Sequence, residues 1–194
     1  MAEFIIYSSR NIYKQISEMI KNGDIANMLI KPVNFACYIF AEECSNIVQI
    51  LVNAVFGIVL GFIFAGTMDV TFVQILFIIA SVLVAIITQI LLQILIGLIS
   101  FFTEENSSFY LILSKFQLLL VLTPLELYPI VLQKVFYCLP ITYSIYVPAK
   151  LLVHFDISSG LKLIGLEIIS LFILILITSL LYKKGVKKLN VNGG

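Results

Sequence analysis

The sequence predicts an all-α membrane protein, a polytopic bundle of about four transmembrane helices with a compact cytoplasmic helix and an outer re-entrant hairpin. Of its 194 residues, 61% are hydrophobic and only 12% are charged, and the mean hydropathy is +1.10. Water-soluble domains are about 45–50% apolar and about 25% charged. Long uncharged stretches and positive charges gathered at both chain ends complete the prediction, which treats residues 1–194 as a single membrane domain.

Composition also excludes several functions. The 12 Lys and Arg residues balance 11 Asp and Glu residues, so no concentrated basic face favours nucleic acid as a partner. Three scattered cysteines and a single histidine argue against a zinc site or a disulfide framework. The sequence contains no phosphate-binding GxxxxGK[ST] loop and no HExxH motif. We therefore predict no catalytic, cofactor-binding or metal-binding site, and no enzymatic activity in this chain.

Residues 1–40 are mixed in polarity and are predicted to be cytoplasmic. Ile12, Ile16 and Ile20 recur at helical spacing, opposite Lys14 and Glu18. This pattern predicts an amphipathic helix that lies on the membrane or against a partner.

A turn and a second, short helix follow. Gly23 tolerates positive φ, and Asp24 can cap a helix that starts at Ile25 and ends near Lys31-Pro32. The result is a compact cytoplasmic knob between two longer elements.

Four stretches are long and apolar enough to cross a membrane, which needs about 20 residues. They are residues 46–66, 70–102, 108–123 and 161–182. The second is long for one crossing but contains no turn signal, so it predicts one tilted or protruding helix. Pro124 ends the third stretch.

The distribution of Lys and Arg predicts the orientation. Eight positive residues flank the outermost spans: Arg10, Lys14, Lys21, Lys31, Lys183, Lys184, Lys187 and Lys188. The long segment before the last span carries only Lys134, Lys150 and Lys162. Because positive residues concentrate in the cytoplasm, both termini, including the tail at 183–194, are predicted to be cytoplasmic.

Unlike faces on the first two spans indicate helix packing. Gly57 and Gly61 form a GxxxG pair on the first span, typical of a helix contact. On the second, Gln89 and Gln93 belong to a polar arc. The opposite, aliphatic side suits lipid and consists of Leu76, Ile79, Leu83, Ile87, Ile90 and Ile94. The glutamines serve either a transport pathway or simple interhelical hydrogen bonds.

Two ionisable residues lie inside predicted spans, where a charge is costly unless it snorkels, pairs or faces water. Lys115 can snorkel to the cytoplasmic headgroups. Glu167 has a shorter reach and needs a partner such as Lys162, or a wet cavity. Together with Gln89 and Gln93, these residues are candidate pathway residues.

Residues 124–160 are too apolar for a solvent loop and too interrupted by proline to span. The segment contains Pro124, Glu126, Tyr128, Pro129 and Pro140. Prolines and tyrosines at this density favour a re-entrant hairpin at the outer interface, with aromatic rings at headgroup level. An interfacial helix without a function of its own is the alternative.

Several of these motifs, in this order, resemble the type-2 ATP-binding-cassette exporter permeases, in a subfamily of bacterial membrane subunits. The first is Asn22-Gly23-Asp24-Ile25 followed by Met28-Leu29-Ile30-Lys31-Pro32. The second is the turn Phe101-Phe102-Thr103-Glu104. The third is Pro124-Leu125, Tyr128-Pro129, Leu132-Gln133 and Leu139-Pro140. Family members usually have six spans, so the resemblance implies that two spans before Met1 are missing here.

The resemblance implies that the short cytoplasmic helix is a coupling helix that docks on a separate ATP-binding subunit. Its docking residues would be Gly23, Asp24, Ile25, Leu29, Lys31 and Pro32. The other implied partners are a second permease subunit, in a homodimer or heterodimer, and membrane lipid. ATP would be used by the partner subunit, with this chain binding no cofactor.

The predicted function is therefore a multi-pass permease subunit of an ATP-driven exporter in a bacterial cell membrane. It would move a hydrophobic or amphipathic substrate by alternating access, with the outer hairpin as a gate. The alternatives are a structural or scaffolding membrane protein, or an inactive fragment of a permease. A membrane-embedded enzyme would need a cluster of His, Asp or Glu, which the sequence does not offer.

Overall fold

The computed structural model describes residues 12–25, 35–44, 70–103 and 106–192, together with positions 52, 55, 56 and 59. Most of the predicted first span, with its Gly57 and Gly61 pair, lies outside the described residues. So do Leu29, Lys31 and Pro32 of the predicted coupling helix.

The described residues form helices, turns and short connections without any strand. In chain order the helices are α1 (Ile12–Lys21), α2 (Phe35–Cys44), α3 (Phe72–Ile99), α4 (Ser107–Leu122), a 3-10 turn (Leu125–Leu127), α5 (Ile130–Tyr137), α6 (Pro140–Val153) and α7 (Ile157–Asn192). The predicted fold class, an all-α polytopic membrane bundle, is confirmed.

Two described helices are long and apolar enough to cross a membrane. They are the 28-residue α3 and the segment Ile157–Lys188 of α7. Helices α5 and α6 meet at an angle of 106° and form a third candidate if they cross together as one broken span. Helix α4 is apolar but only 16 residues long, shorter than the predicted crossing at 108–123 requires.

Capping residues and prolines set several helix boundaries. Thr71 accepts a hydrogen bond from the Gln74 backbone at the start of α3, and Asp156 does the same for Ser159 at the start of α7. Thr123, just before Pro124, is extended, because a following proline disfavours the helical conformation. Pro140 occupies the first turn of α6, where its missing N–H leaves no bond unmade.

Helix α3 lies at the centre and packs against α1, α6 and α7. Near its amino end, the Gln74 amide donates to the carbonyl oxygens of Leu151 and Leu152 in α6. Near its carboxyl end, Gly97 lies against Ile16 of α1. The carboxyl end of α6 therefore lies beside the amino end of α3, and α1 lies beside the carboxyl end of α3.

Both the first and the last described helices flank the carboxyl end of α3. Ser100 donates to Ser17 of α1 over 2.9 Å. On the other side, Gly185 of α7 packs against Phe101, and the Lys188 ammonium lies 5.4 Å from the centre of the Phe102 ring. Helix α1 and the last turns of α7 thus lie at the same end of the bundle.

Helix α1 has the amphipathic pattern expected, but its apolar face is covered by the bundle itself. Ile12, Ile16 and Ile20 are buried in one cluster with Ile90 and Ile94 of α3. Lys14 and Glu18 are exposed. The apolar face is therefore used within the chain, and only the polar face of α1 is free to meet the membrane surface or a partner.

The aliphatic side of α3, which was expected to face lipid, is exposed along only part of the helix. Leu76, Ile79 and Leu83 are exposed, as a lipid-facing side requires. Ile90 and Ile94 are fully buried instead. The prediction was wrong for this half of the helix because α1 and α2 cover it, so α3 is enclosed towards its carboxyl end.

Candidate functional site

A line of buried polar side chains runs along α3 and faces its neighbours. Gln89 and Gln93 are 2% and 1% exposed. The other buried polar residues of the helix are Gln74, Ser81, Thr88 and Ser100. Polar groups at membrane depth are costly unless they find partners, so their contacts define the interior of the bundle.

The strongest of these contacts joins three helices at Gln89. The Gln117 amide of α4 donates to Gln89 Oε1 over 2.6 Å, and Gln89 Nε2 donates to the Ser144 hydroxyl of α6 over 3.2 Å. All three side chains are buried. The structure therefore places Gln89, predicted as a pathway residue, in a hydrogen-bonded link between α3, α4 and α6.

Gln117 and Ser144 were not predicted as site residues. Gln117 is an isolated polar residue within Phe116 to Leu122, and that isolation in an apolar helix is a usable sequence signal. Ser144 gives no comparable signal, because it lies among Tyr and Pro residues of mixed polarity. Its role follows only from the packing of α6 on α3.

Glu167 forms a second link, between α7 and α3. Its side chain is fully buried, and Ser81 donates to Glu167 Oε2 over 2.8 Å. The suggested contact with Lys162 is not formed, and Lys162 is exposed. Glu167 is therefore held by a neutral hydroxyl, in a position where no described Lys or Arg forms an ion pair with it.

Two atoms of these links, Gln117 Oε1 and Glu167 Oε1, have no hydrogen-bond partner within the described structure. The other buried side-chain atoms without a partner there are both amide atoms of Gln93, Thr142 Oγ1 and the Tyr110 hydroxyl. Buried polar atoms are normally paired. The unpaired atoms of Gln93, Gln117 and Glu167 are therefore available to water, to a substrate or to new partners after a helix movement.

Beside the Gln89 link, a cavity of about 530 Å³ opens between α3, α4 and α6. Its size is typical of a small-molecule site, for which about 300–1,000 Å³ is usual. Apolar residues dominate the lining, and the polar exceptions are Ser144, Glu126, Tyr146 and Lys150. Ser144 connects the cavity wall to the buried Gln89 link.

Lys115, the fourth predicted pathway residue, lies elsewhere. Its side chain is exposed on α4 and does not line this cavity. Gln93 and Glu167 are also absent from the cavity lining. Of the four predicted pathway residues, the structure brings only Gln89 next to the cavity.

The predicted hairpin residues are arranged around a sharp bend. Tyr128 donates to the Leu119 carbonyl of α4, and its ring packs edge-on against Phe136 of α5. Gln133 donates to the Tyr128 carbonyl over 2.8 Å. Glu126 forms an ion pair with Lys150 of α6. The segment after Pro124 is thus fastened to both α4 and α6.

The start of the predicted coupling helix lies at the same end of the bundle as α1. Gly23 has a φ of +79°, which allows the turn after α1. Asp24 is exposed, whereas Ile25 is fully buried in the cluster with Ile16. Within this segment, Asp24 is accessible to a partner, and Ile25 anchors the helix to the bundle.

A groove of about 490 Å³ lies beside this segment, between α1 and the start of α4. Its charged lining residues are Lys14, Glu18 and Lys21. Among the described residues, no group of His, Cys, Asp or Glu side chains is arranged to hold a metal ion. The groove is lined by side chains of both charges beside polar neighbours such as Ser17 and Asn106.

These features describe a multi-pass helical membrane protein with a polar interior and an amphipathic cavity. The family described as "ABC-2 family transporter protein" matches residues 1–193. The chain belongs to this family, which confirms the resemblance seen in the sequence. No curated protein and no solved structure matches the chain. Membership indicates a membrane permease of an ABC transporter, which works with an ATP-binding subunit.

Proposed function

We propose that this chain is the membrane-spanning permease subunit of an ATP-driven exporter that moves a hydrophobic or amphipathic substrate by alternating access. The observation that carries the proposal is the Gln89 link beside the amphipathic cavity. This link joins three helices beside a cavity of ligand size. Substrate binding in the cavity and movement of these helices can therefore affect each other.

The unpaired atoms near this link support a second arrangement of the helices. Gln117 uses its amide nitrogen in the present contact and leaves Oε1 without a partner. Gln93 leaves both amide atoms unpaired one turn further along α3. A shift of α4 or α6 relative to α3 would allow the glutamines to exchange partners, so both arrangements can be stabilised.

The test uses the permease in liposomes with its ATP-binding subunit and measures ATP hydrolysis stimulated by amphipathic compounds. We expect Gln89→Leu to reduce stimulation by about 2- to 30-fold, corresponding to a coupling of about 0.5–2 kcal/mol. Ser114→Ala is the matched control, because Ser114 bonds only within its own helix. Equal stimulation in both variants would contradict a role for the Gln89 link.

We further propose that the segment Gly23 to Pro32 docks on the ATP-binding subunit, with Asp24 as an accessible contact. Docking of a charged residue at a protein interface is sensitive to charge reversal. Asp24→Lys should reduce co-purification of the ATP-binding subunit, while Lys134→Glu, an exposed charge reversal on α5, should not. Retention of the subunit after replacement of the whole segment would rule out this docking site.

The proposed orientation has both chain ends in the cytoplasm of a bacterial cell. The positive residues at both ends support it, and so does the placement of α1 and the last turns of α7 at one end of α3. Cysteines introduced at the exposed positions Lys14 and Lys187 should react with a membrane-impermeant maleimide only after the cells are opened. Labelling of either position in intact cells would show that the proposed orientation is wrong.

The proposed assembly is a dimer of permease subunits, identical or different, with lipid around it. Helix α7 supports this proposal because it leaves a broad apolar face outside the chain, including Phe172, Leu176 and Leu180. Crosslinking through single cysteines at these positions should yield dimers in membranes that contain the permease at low density. Cysteines at buried Ser170 and Thr178 of the same helix serve as controls.

A further inference from the structure

The cavity beside α3 has a charged part that the transport proposal does not use. Glu126 and Lys150 form an ion pair between the 3-10 turn and α6, and their side chains are 48% and 35% exposed. The Tyr146 hydroxyl donates to the same carboxylate oxygen over 3.0 Å. All three residues line the cavity. Among the described residues, this is the one ion pair.

The remainder of the cavity lining is mostly apolar. Val82, Leu120 and Ile145 line it and are buried. Pro124, Pro148 and Ala149 contribute further apolar surface. The cavity is therefore amphipathic in itself, with one ion pair and several buried aliphatic side chains in its lining.

We propose that this cavity binds a zwitterionic phospholipid of the surrounding bilayer. The lipid ammonium group would bind the Glu126 carboxylate, the phosphate would bind Lys150, and an acyl chain would lie against Val82, Leu120 and Ile145. A substrate of this class would be drawn directly from the membrane. Its assignment as the exported substrate rests on the proposed function, whereas its binding does not.

Charge complementarity favours a zwitterion over other lipids. The Glu126 and Lys150 pair has no net charge, and each ion can exchange its partner for one charge of a zwitterionic headgroup. A purely anionic headgroup would bind Lys150 but place negative charge beside Glu126, and a cationic one would meet Lys150 in the same way. Such like-charge contacts are the usual basis of discrimination between charged ligands.

The side-chain geometry is consistent with this exchange. The side chains of Tyr146 and Lys150 both donate to Glu126 Oε1, so no side chain of another described residue donates to Oε2. The Lys150 ammonium lies 5.8 Å from the centre of the Tyr146 ring. Tyrosine is common at the membrane interface because it has an apolar ring and a polar tip. The charged part of the cavity therefore has an acceptor free for a lipid ammonium.

The experiment uses the purified permease alone, reconstituted in vesicles with phosphatidylethanolamine carrying a photoreactive acyl chain. Phosphatidylglycerol with the same chain is the anionic comparison. We expect phosphatidylethanolamine to label peptides of α4 and α6 about 2- to 5-fold more efficiently, the ratio that corresponds to an exposed ion pair of about 0.4–1 kcal/mol. Equal labelling by both lipids, or labelling confined to other peptides, would overturn the proposal.

Variants identify the groups responsible. Glu126→Gln and Lys150→Met should each abolish the preference, while Lys134→Met, which removes an exposed charge outside the cavity, should keep it. The double charge swap, Glu126→Lys with Lys150→Glu, should retain the preference because it retains the pair. If a single variant misfolds, the double-swap variant still tests the proposal. A folded double-swap variant without the preference for phosphatidylethanolamine would contradict the proposal.

Transport measurements separate this inference from the proposed function. Selective labelling of the permease without any ATP-dependent lipid movement in the complex would leave the binding site intact and remove the phospholipid as exported substrate. ATP-dependent export of another amphipathic compound, with no lipid preference in the cavity, would leave the proposed function intact and overturn this inference.

Discussion

Helices α3 and α7 are both long, apolar candidate spans, yet they occupy different positions in the bundle. In the most apolar 18-residue window, 44% of α3 is buried but only 22% of α7. Helix α3 turns polar side chains towards three neighbours. Apart from Gly160 and Gly185, the buried residues of α7 form a narrow stripe of Glu167, Ser170, Leu174 and Thr178. The distribution of polar residues, more than hydropathy, therefore shows which span is central.

The difference has a physical origin in the bilayer. Apolar side chains gain little from leaving lipid for a protein interior, so association depends on close packing and interhelical hydrogen bonds. Helix α3 supplies both, through Gly97 and through Gln89. Helix α7 supplies them along its stripe and through Gly160 and Gly185, and much of its remaining surface is exposed.

The largest expected effect comes from filling a close contact of the central helix. A Cβ atom at Gly97 would lie 2.7 Å from Ile16 Cβ, which cannot move without moving the backbone of α1. We expect Gly97→Ala to lower the free energy of unfolding by about 1–3 kcal/mol, as overpacked sites do. Thermal unfolding in detergent, followed by circular dichroism, measures the change.

Gly165 of α7 is the matched control for this prediction. A Cβ atom there would meet no other atom within 4 Å. Because glycine is a poor helix former, Gly165→Ala should leave stability unchanged or raise it by up to about 1 kcal/mol. Equal losses at Gly97 and Gly165 would show that the loss at Gly97 does not come from its close contact with Ile16.

The second effect concerns the Gln89 and Gln117 contact. Replacing either glutamine by leucine leaves a buried amide unpaired, whereas replacing both removes the need for a partner. A double-mutant cycle should therefore give a coupling energy of about 0.6–1.7 kcal/mol, between the average and the maximum found for membrane proteins. A cycle between Gln89→Leu and Ser114→Ala should be additive, and an equal coupling there would contradict the interhelical link.

The sequence predicted the central elements of this fold because they depend on local rules. The uncharged run at 70–102 predicts one helix, and α3 is unbroken from Phe72 to Ile99. Pro124, Pro129 and Pro140 predict an interrupted segment, and they lie at the starts of the 3-10 turn, α5 and α6, with Pro140 at the sharp bend. The periodic face of α1 predicted its burial pattern but not the surface that covers it.

The candidate site was only partly predictable because it depends on contacts between distant residues. Gln89 was selected by its polarity in an apolar helix, but its partner Gln117 is 28 residues away and Ser144 is 55 away. For Glu167 the sequence indicated a partner such as the nearby Lys162, or a wet cavity, and did not identify Ser81, which it meets across the bundle. Helical periodicity gives the face of a residue but does not identify the neighbouring helix.

A smaller effect is expected from the hydrogen bond between the two candidate spans. Ser81→Ala removes the described donor to the Glu167 carboxyl, and the expected loss is about 0.6 kcal/mol, the average for interhelical hydrogen bonds in a membrane protein. Ser170→Ala is the control, because Ser170 donates to the Glu167 carbonyl within α7. We expect the control to destabilise the protein less in the same unfolding measurement. A larger loss in the control would mean that the α3 and α7 contact does not depend on this bond.

The smallest expected effect concerns the partly exposed ion pair of Glu126 and Lys150, in contrast to the buried hydrogen-bonded links. The hydrogen bond from Lys150, reinforced by that from Tyr146, holds the pKa of Glu126 below its ordinary value of 4.5. A lowered folded-state pKa means that the pair stabilises the protein above pH 4.5 and that this contribution disappears as the pH falls through the folded-state value. Since both side chains are partly exposed, the contribution is about 0.2–1 kcal/mol.

Comparison with Glu126→Gln isolates this contribution, because every other carboxylate titrates in both proteins. The difference in unfolding free energy between wild type and variant should be present at neutral pH and should decrease steadily below pH 4.5. A difference that stays constant over this range would show that Glu126 stabilises the segment through packing alone. A decrease would show that the ionised pair provides the contribution, whereas the buried Gln89 link has no titrating group and should not change over this range.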